Sequence, residues 1–268
     1  MPVKTPEDKA SFLDHLEELR IRLIRCFVAI GVGFIICYSF KENIFNILVR
    51  PLIKALPSEH SQHLIYTAPQ EAFLVYMKVS FIAGTFLAMP VIIFEFWRFV
   101  APGLYEHEKK YLFPIVIVSI LFFGSGIAFG YFVALPFGFQ FFTSFASEYV
   151  MPFISTREFL SFTMKLLFSF GLIFELPVVV FFLARLGIIQ SETLKKYRRY
   201  AILVIFIVAA ILTPPDAFSQ IIMAIPLLVL YELSVWVAHF FGKESAQSRP
   251  QRDLSKEAEK TPTKVDGE

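Results

Sequence analysis

Between Cys26 and Phe241 the chain is a succession of long apolar runs, broken only by short polar seams. A hydrocarbon core about 30 Å thick takes ~20 mostly apolar residues per crossing helix, and several runs reach or approach that length. With 56% hydrophobic residues and a mean hydropathy of +0.62, there is more apolar surface than a soluble fold can bury. The sequence therefore predicts an all-α polytopic membrane protein, since a helix satisfies its own backbone inside lipid. Its 268 residues suffice for six transmembrane helices with short loops. The charged residues inside and beside the spans become the informative ones.

The first span is read as Leu23–Phe40 and the second as Ala72–Trp97. A third begins at Tyr111. The uncharged stretch that follows is too long for one crossing, so a break is expected near Pro136, with Phe137–Ser147 in a cap outside the membrane. Phe159–Arg185 forms the fourth span, Tyr200–Leu212 the fifth and Ala217–Ala238 the sixth. The last two spans are short: the fifth supplies only ~20 Å of helix, and Gln220, Pro226 and Glu232 interrupt the sixth. A short hairpin of this kind implies local bilayer thinning or burial of its outer end in protein. Thr67-x-x-Gln70 and Ser155-x-x-Glu158 read as capping boxes opening the second and fourth spans.

Six spans put both ends on one side. Lys4, Lys9, Arg20, Arg22 and Arg25 precede or enter the first span; Arg98, Lys109 and Lys110 follow the second; Lys195, Lys196, Arg198 and Arg199 follow the fourth. The other face carries only Lys41, Arg50, Lys54 and Arg157. Basic residues concentrate on the cytoplasmic side of membrane proteins, so both termini are expected in the cytoplasm. Residues 1–22 read as a cytoplasmic amphipathic helix, 23–240 as the transmembrane domain, and 241–268 as a disordered, charged cytoplasmic tail without aromatic residues beyond Phe241.

Three polar features stand out. Phe12, Leu16, Leu19 and Leu23 share one helical face, while Glu18 and Arg22 form an i,i+4 pair on another. Between the second and third spans, aromatic residues around Trp97 and Phe99 lead through Pro102-Gly103 to Glu106, Glu108 and two lysines. Glu18 and Glu108 lie on the same expected side, and two carboxylates beside apolar surface suit a ligand with two guanidinium groups, because arginine pairs with carboxylate in a planar, bidentate way. Glu175, in Phe174-Glu175-Leu176-Pro177, sits mid-span, where an ionisable group is costly and points to function. Lys78 and Lys165 are its candidate charged partners, with Thr213 and Gln220 the better polar company. His60-x-x-His63 lacks the further ligands a metal site needs. No phosphate loop, nucleophile elbow or metalloprotease helix occurs, so neither enzyme activity, cofactor, metal nor nucleic-acid partner is expected.

The runs His15-Leu16-Glu17-Glu18-Leu19-Arg20, Arg50-Pro51-Leu52, Phe99-Val100-Ala101-Pro102-Gly103-Leu104-Tyr105 followed by Glu108, Phe174-Glu175-Leu176-Pro177, and Thr213-Pro214-Pro215-Asp216 with Ser219-Gln220 occur in this order. Together they resemble the TatC family, the core receptor subunits of the twin-arginine protein translocase, over residues ~11–240. The resemblance implies a glove-like concave bundle with an outer cap, in a bacterial cytoplasmic (inner) membrane. It implies binding of twin-arginine signal peptides of folded precursors by Glu18 and Glu108, with Arg20 and Phe99 as neighbours. Glu175 falls on the intramembrane acid, and Thr213 and Gln220 on the docking positions for single-span TatA- and TatB-like subunits. It further implies export driven by the proton-motive force and homo-oligomers within a receptor complex. The alternative is a secondary transporter of an ion or small molecule with Glu175 as its proton site, which would require pseudo-symmetric halves.

Overall fold

The computed structural model describes residues 6–56, 64–66, 68–100, 112–145, 153–212 and 217–242. These are almost wholly helical: α1 (Pro6–Ser39), α2 (Lys41–Ala55), α3 (Glu71–Val100), α4 (Leu112–Phe129), α5 (Leu135–Thr143), α6 (Thr156–Phe174), α7 (Leu176–Arg185), α8 (Ser191–Lys196), α9 (Arg198–Leu212) and α10 (Ala217–Phe241). Among the described residues, five stretches are long and apolar enough to cross a membrane: His15–Ser39, Glu71–Val100, Leu112–Thr143, Thr156–Arg185 and Gln220–Phe241. Helix α9 follows the expected fifth span and, at 15 residues or about 22 Å, is too short to cross alone.

Helix α1 runs unbroken from the amphipathic segment into the first span and packs mainly along α3. Its outward side chains, Phe27 and Ile35 among them, are exposed and suit lipid rather than water. The two helices meet at Gly33 and Gly84. A Cβ on Gly33 would come within 2.4 Å of the Gly84 carbonyl oxygen, and one on Gly84 within 2.5 Å of the Phe34 nitrogen. Helices α4 and α6 interlock in the same manner, Gly126 under Phe170 and Phe174, Gly171 under Phe123. Lipid gives no hydrophobic drive between helices, so such close small-residue crossings supply the attraction.

Three sequence expectations need revision. Pro136 does not break the helix: residues 130–134 form a single π turn, in which the Leu135 amide donates to the Gly130 carbonyl. This wider turn absorbs the proline, and the helix continues to Thr143. The expected sixth span is not short; α10 runs through Pro226 as one helix of 25 residues. Ser155 does occupy the N-cap of α6 but makes no capping hydrogen bond from its side chain. Instead, Oε1 of buried Glu71 on α3 accepts the Arg157 amide at 3.1 Å. A short parallel bridge joins Ile65 to Ser155 beside it. Thr67, the partner of Gln70 in the other expected cap, and His60 and His63 lie outside the described residues.

The stretch of Arg50-Pro51-Leu52 belongs to α2, which packs on α5, where Thr143 Oγ1 lies within hydrogen-bond reach of both the Phe139 carbonyl at 2.8 Å and the Ala55 carbonyl at 3.1 Å. Between α2, α3, α4 and α6 lies an apolar hollow of about 380 Å³, lined by Leu48, Val79, Phe86, Ile127 and Met164. The main core cluster borders it, from Leu52 and Val79 through Leu167 and Phe170 to Leu227.

Candidate functional site

His15, Glu18, Arg22 and Arg25 follow one another at helical spacing, so they form a stripe along α1. Helix α3 runs antiparallel against that stripe. Arg22 lies about three turns before Gly33, and Glu95 about three turns after Gly84, so the glycine contact brings these two charges to the same level. Arg22 Nη1 donates to Glu95 Oε2 at 2.9 Å, and Arg25 Nη1 to Glu95 Oε1 at 3.2 Å. The remaining edge of the Arg22 guanidinium faces back along α1: Nε and Nη2 both donate to Glu18 Oε1, the former at 3.2 Å. One turn further, the His15 ring stacks on Phe99 with centroids 4.4 Å apart and planes at 18°.

Burial divides the cluster. Arg22 is 8% and Glu95 6% exposed, whereas the Glu18 side chain keeps 36% of its surface open. Glu18 and Glu95 face Arg22 and Arg25, and the charge of Arg98 also acts on Glu18. Removing one member of a buried ion pair typically costs about 3–5 kcal/mol through the charge left behind, which makes Arg22–Glu95 a firm link between α1 and α3. Of the residues expected here, Glu18 and Phe99 are brought together through His15. Arg20 is exposed and lies roughly 200° around α1 from Glu18. Glu108 lies outside the described residues. Glu95 is the residue that sequence reasoning passed over; it is the sole acid in Ala72–Trp97, a signal that could have singled it out.

The second candidate lies mid-span. Glu175 is the one non-helical residue between α6 and α7. Pro177 has no amide to donate and stands in the first turn of α7. The Glu175 amide turns to the Leu172 carbonyl at 3.1 Å, and its own carbonyl accepts from Val178 and Val179. The side chain meets Ser119 of α4. Trp97 Nε1 of α3 donates to Ser119 Oγ at 2.9 Å. Glu175 Oε1 is buried with no hydrogen-bond partner among the described residues. Edge-on packing of Phe182 against Trp97, at 4.8 Å, closes this corner of α3, α4 and α7.

Lys165 is not a partner of Glu175: its Nζ caps the Ile211 carbonyl at the end of α9. Gln220 is also engaged elsewhere, its Nε2 donating to the Phe206 carbonyl of α9 at 3.0 Å. Thr213 lies outside the described residues. Among those described, no group of three or more His, Cys, Asp or Glu is placed to hold a metal ion.

Residues 14–226 match the family model described as TatC, Sec-independent protein translocase protein. The chain belongs to the TatC family. A Desulforapulum autotrophicum Sec-independent protein translocase protein TatC is 52% identical over 238 residues, covering 89% of this chain and 87% of its own. The Magnetococcus marinus TatC is 43% identical over 253 residues, covering 94% and 91%. The fold is similar to a crystal structure titled Twin Arginine Translocase Receptor TatC, with a TM-score of 0.75 and 38% identity over 84% of this chain and 97% of that one. A second crystal structure of such a receptor, in the detergent DDM, gives 0.77 over 84% and 100%. This TatC-family chain is thus a membrane-embedded component of a Sec-independent protein translocase, which decides against the small-molecule transporter.

Proposed function

We propose that the chain is the signal-peptide receptor and scaffold of a twin-arginine translocation system in a bacterial cytoplasmic membrane, with both termini in the cytoplasm. Glu18 and Glu108 take the paired guanidinium groups of the signal peptide, and Phe99 packs against its apolar continuation. Arg20 flanks this patch. Thr213 and Gln220 receive small single-span subunits, TatA- and TatB-like, and Glu175 offers them an intramembrane acid. Several copies assemble in the receptor complex, and the proton-motive force drives export of folded precursors.

The observation that carries this reading is the state of Glu18. Its carboxylate already holds a guanidinium group, remains partly open, and has the His15–Phe99 stack one turn away. A carboxylate so placed accepts a planar two-pronged cation better than a point charge. The deciding experiment is pull-down of the detergent-solubilised chain on an immobilised Arg-Arg signal peptide and on its Lys-Lys counterpart. Capture by the first alone, lost in Glu18→Ala and Glu108→Ala, is the expected result; equal capture by both peptides overturns the reading.

A further inference from the structure

The guanidinium that Glu18 holds belongs to the chain itself. Nε and Nη2 of Arg22 both converge on Glu18 Oε1, one of the two oxygens that the fork of an arginine from outside would need. Glu18 is therefore already neutralised, and it has one remaining oxygen, Oε2, which lies 3.8 Å from His15 Nδ1. An arriving arginine cannot use the bidentate geometry while Arg22 stays in place. Arg22, however, has a second anchor. Nη1 is bound to Glu95, whose carboxylate is buried and also steadied by Arg25. Letting go of Glu18 would leave Arg22 paired, so release does not strand a buried charge.

We propose that Arg22 is a resident guanidinium, occupying Glu18 until an arginine of the bound peptide replaces it, and that Glu95 holds Arg22 during the exchange. The proposal rests on the receptor reading above. It makes Arg22 and Glu95 specificity-determining residues: a ligand must outcompete an arginine already seated, which lysine, with a single compact ammonium and no fork, does poorly. The device filters out singly charged or lysine-bearing segments without any further contact.

A structural clamp and a resident competitor predict opposite results. The double variant Arg22→Gln, Glu95→Gln removes one positive and one negative charge together, so long-range attraction of a cationic peptide is unchanged. The competitor predicts about 3- to 5-fold tighter binding of an Arg-Arg peptide, the range of an exposed ion pair no longer to be displaced. Discrimination against the Lys-Lys peptide should narrow at the same time. Arg22→Lys is the second variant, should the double one not fold: it keeps the charge, loses the fork, and should shift both readouts in the same direction by less. Both are measured on the full chain by anisotropy of a labelled signal peptide, with Glu18→Gln alongside. Unchanged or weaker Arg-Arg binding in whichever variant folds, with Glu18→Gln still losing affinity, overturns the competitor while the receptor reading stands. Full affinity in Glu18→Gln overturns both.

Discussion

At the scale of single residues, the polar cluster of Trp97, Ser119 and Glu175 shows how a buried donor depends on its acceptor. Trp97 donates to Ser119, the residue that Glu175 meets. Ser119→Ala would leave the buried Trp97 N–H with no acceptor, which costs about 1–3 kcal/mol, and a lower melting temperature in detergent is expected. Adding Trp97→Phe removes the orphaned donor as well, so the double variant should melt closer to the parent than Ser119→Ala does. If the two losses simply add, the hydrogen bond is not the cause. Among the described residues, one buried oxygen of Glu175 has no partner, an arrangement that stability alone would not retain. Glu175→Ala should impair export of a folded reporter and leave signal-peptide affinity near that of the parent. Normal export by this variant would make Glu175 a structural residue only.

At the scale of elements, the α1–α3 pair connects packing to the proposed peptide site. Gly84 faces backbone atoms that have no rotamer to change, so a methyl group there must push the helices apart. Gly84→Ala should cost about 1–3 kcal/mol, and it should weaken peptide binding too, because separation of the helices draws Arg22 away from Glu95. Gly31→Ala is the control: nothing lies within 4 Å of a Cβ there, and alanine favours the helix. Equal melting temperatures for the two variants would remove the glycine contact as the clamp.

Much of this scale was legible in advance. Apolar run lengths located α3, α9 and the α6–α7 span to within a few residues, because lipid demands long, nearly charge-free helices. The i,i+4 pairing of Glu18 with Arg22 followed from spacing alone. What failed depended on contacts distant in sequence. Pro136 was accommodated by a π turn packed against Leu167 and Phe170 at Gly130, Glu71 replaced Ser155 as the cap of α6, and Glu95 acquired its meaning only when α1 lay across it. Local pattern carries no record of such neighbours.

At the scale of the whole molecule, described polar contacts gather at two ends with an apolar middle. One end holds Glu18–Arg22–Glu95, the Arg198–Glu232 pair at 2.8 Å, and Tyr231 donating to the Leu194 carbonyl. The other holds Glu71 with Arg157, Thr156 with Ile65, and Lys165 with Ile211. Trp97 with Ser119, and Gln220 with the Phe206 carbonyl, belong to neither group. A receptor for precursors made in the cytoplasm must present the first end to that compartment, and the excess of Lys and Arg around that end points the same way. Single cysteines test this after the native Cys26 and Cys37, both free thiols, are replaced by serine. A cysteine at Lys195 should react with a membrane-impermeant maleimide only in inverted vesicles. One at Lys41, at the start of α2, should react only in right-side-out ones. The reverse pattern would put Glu18 on the face where precursors arrive last, and the proposed peptide site would fall with the topology.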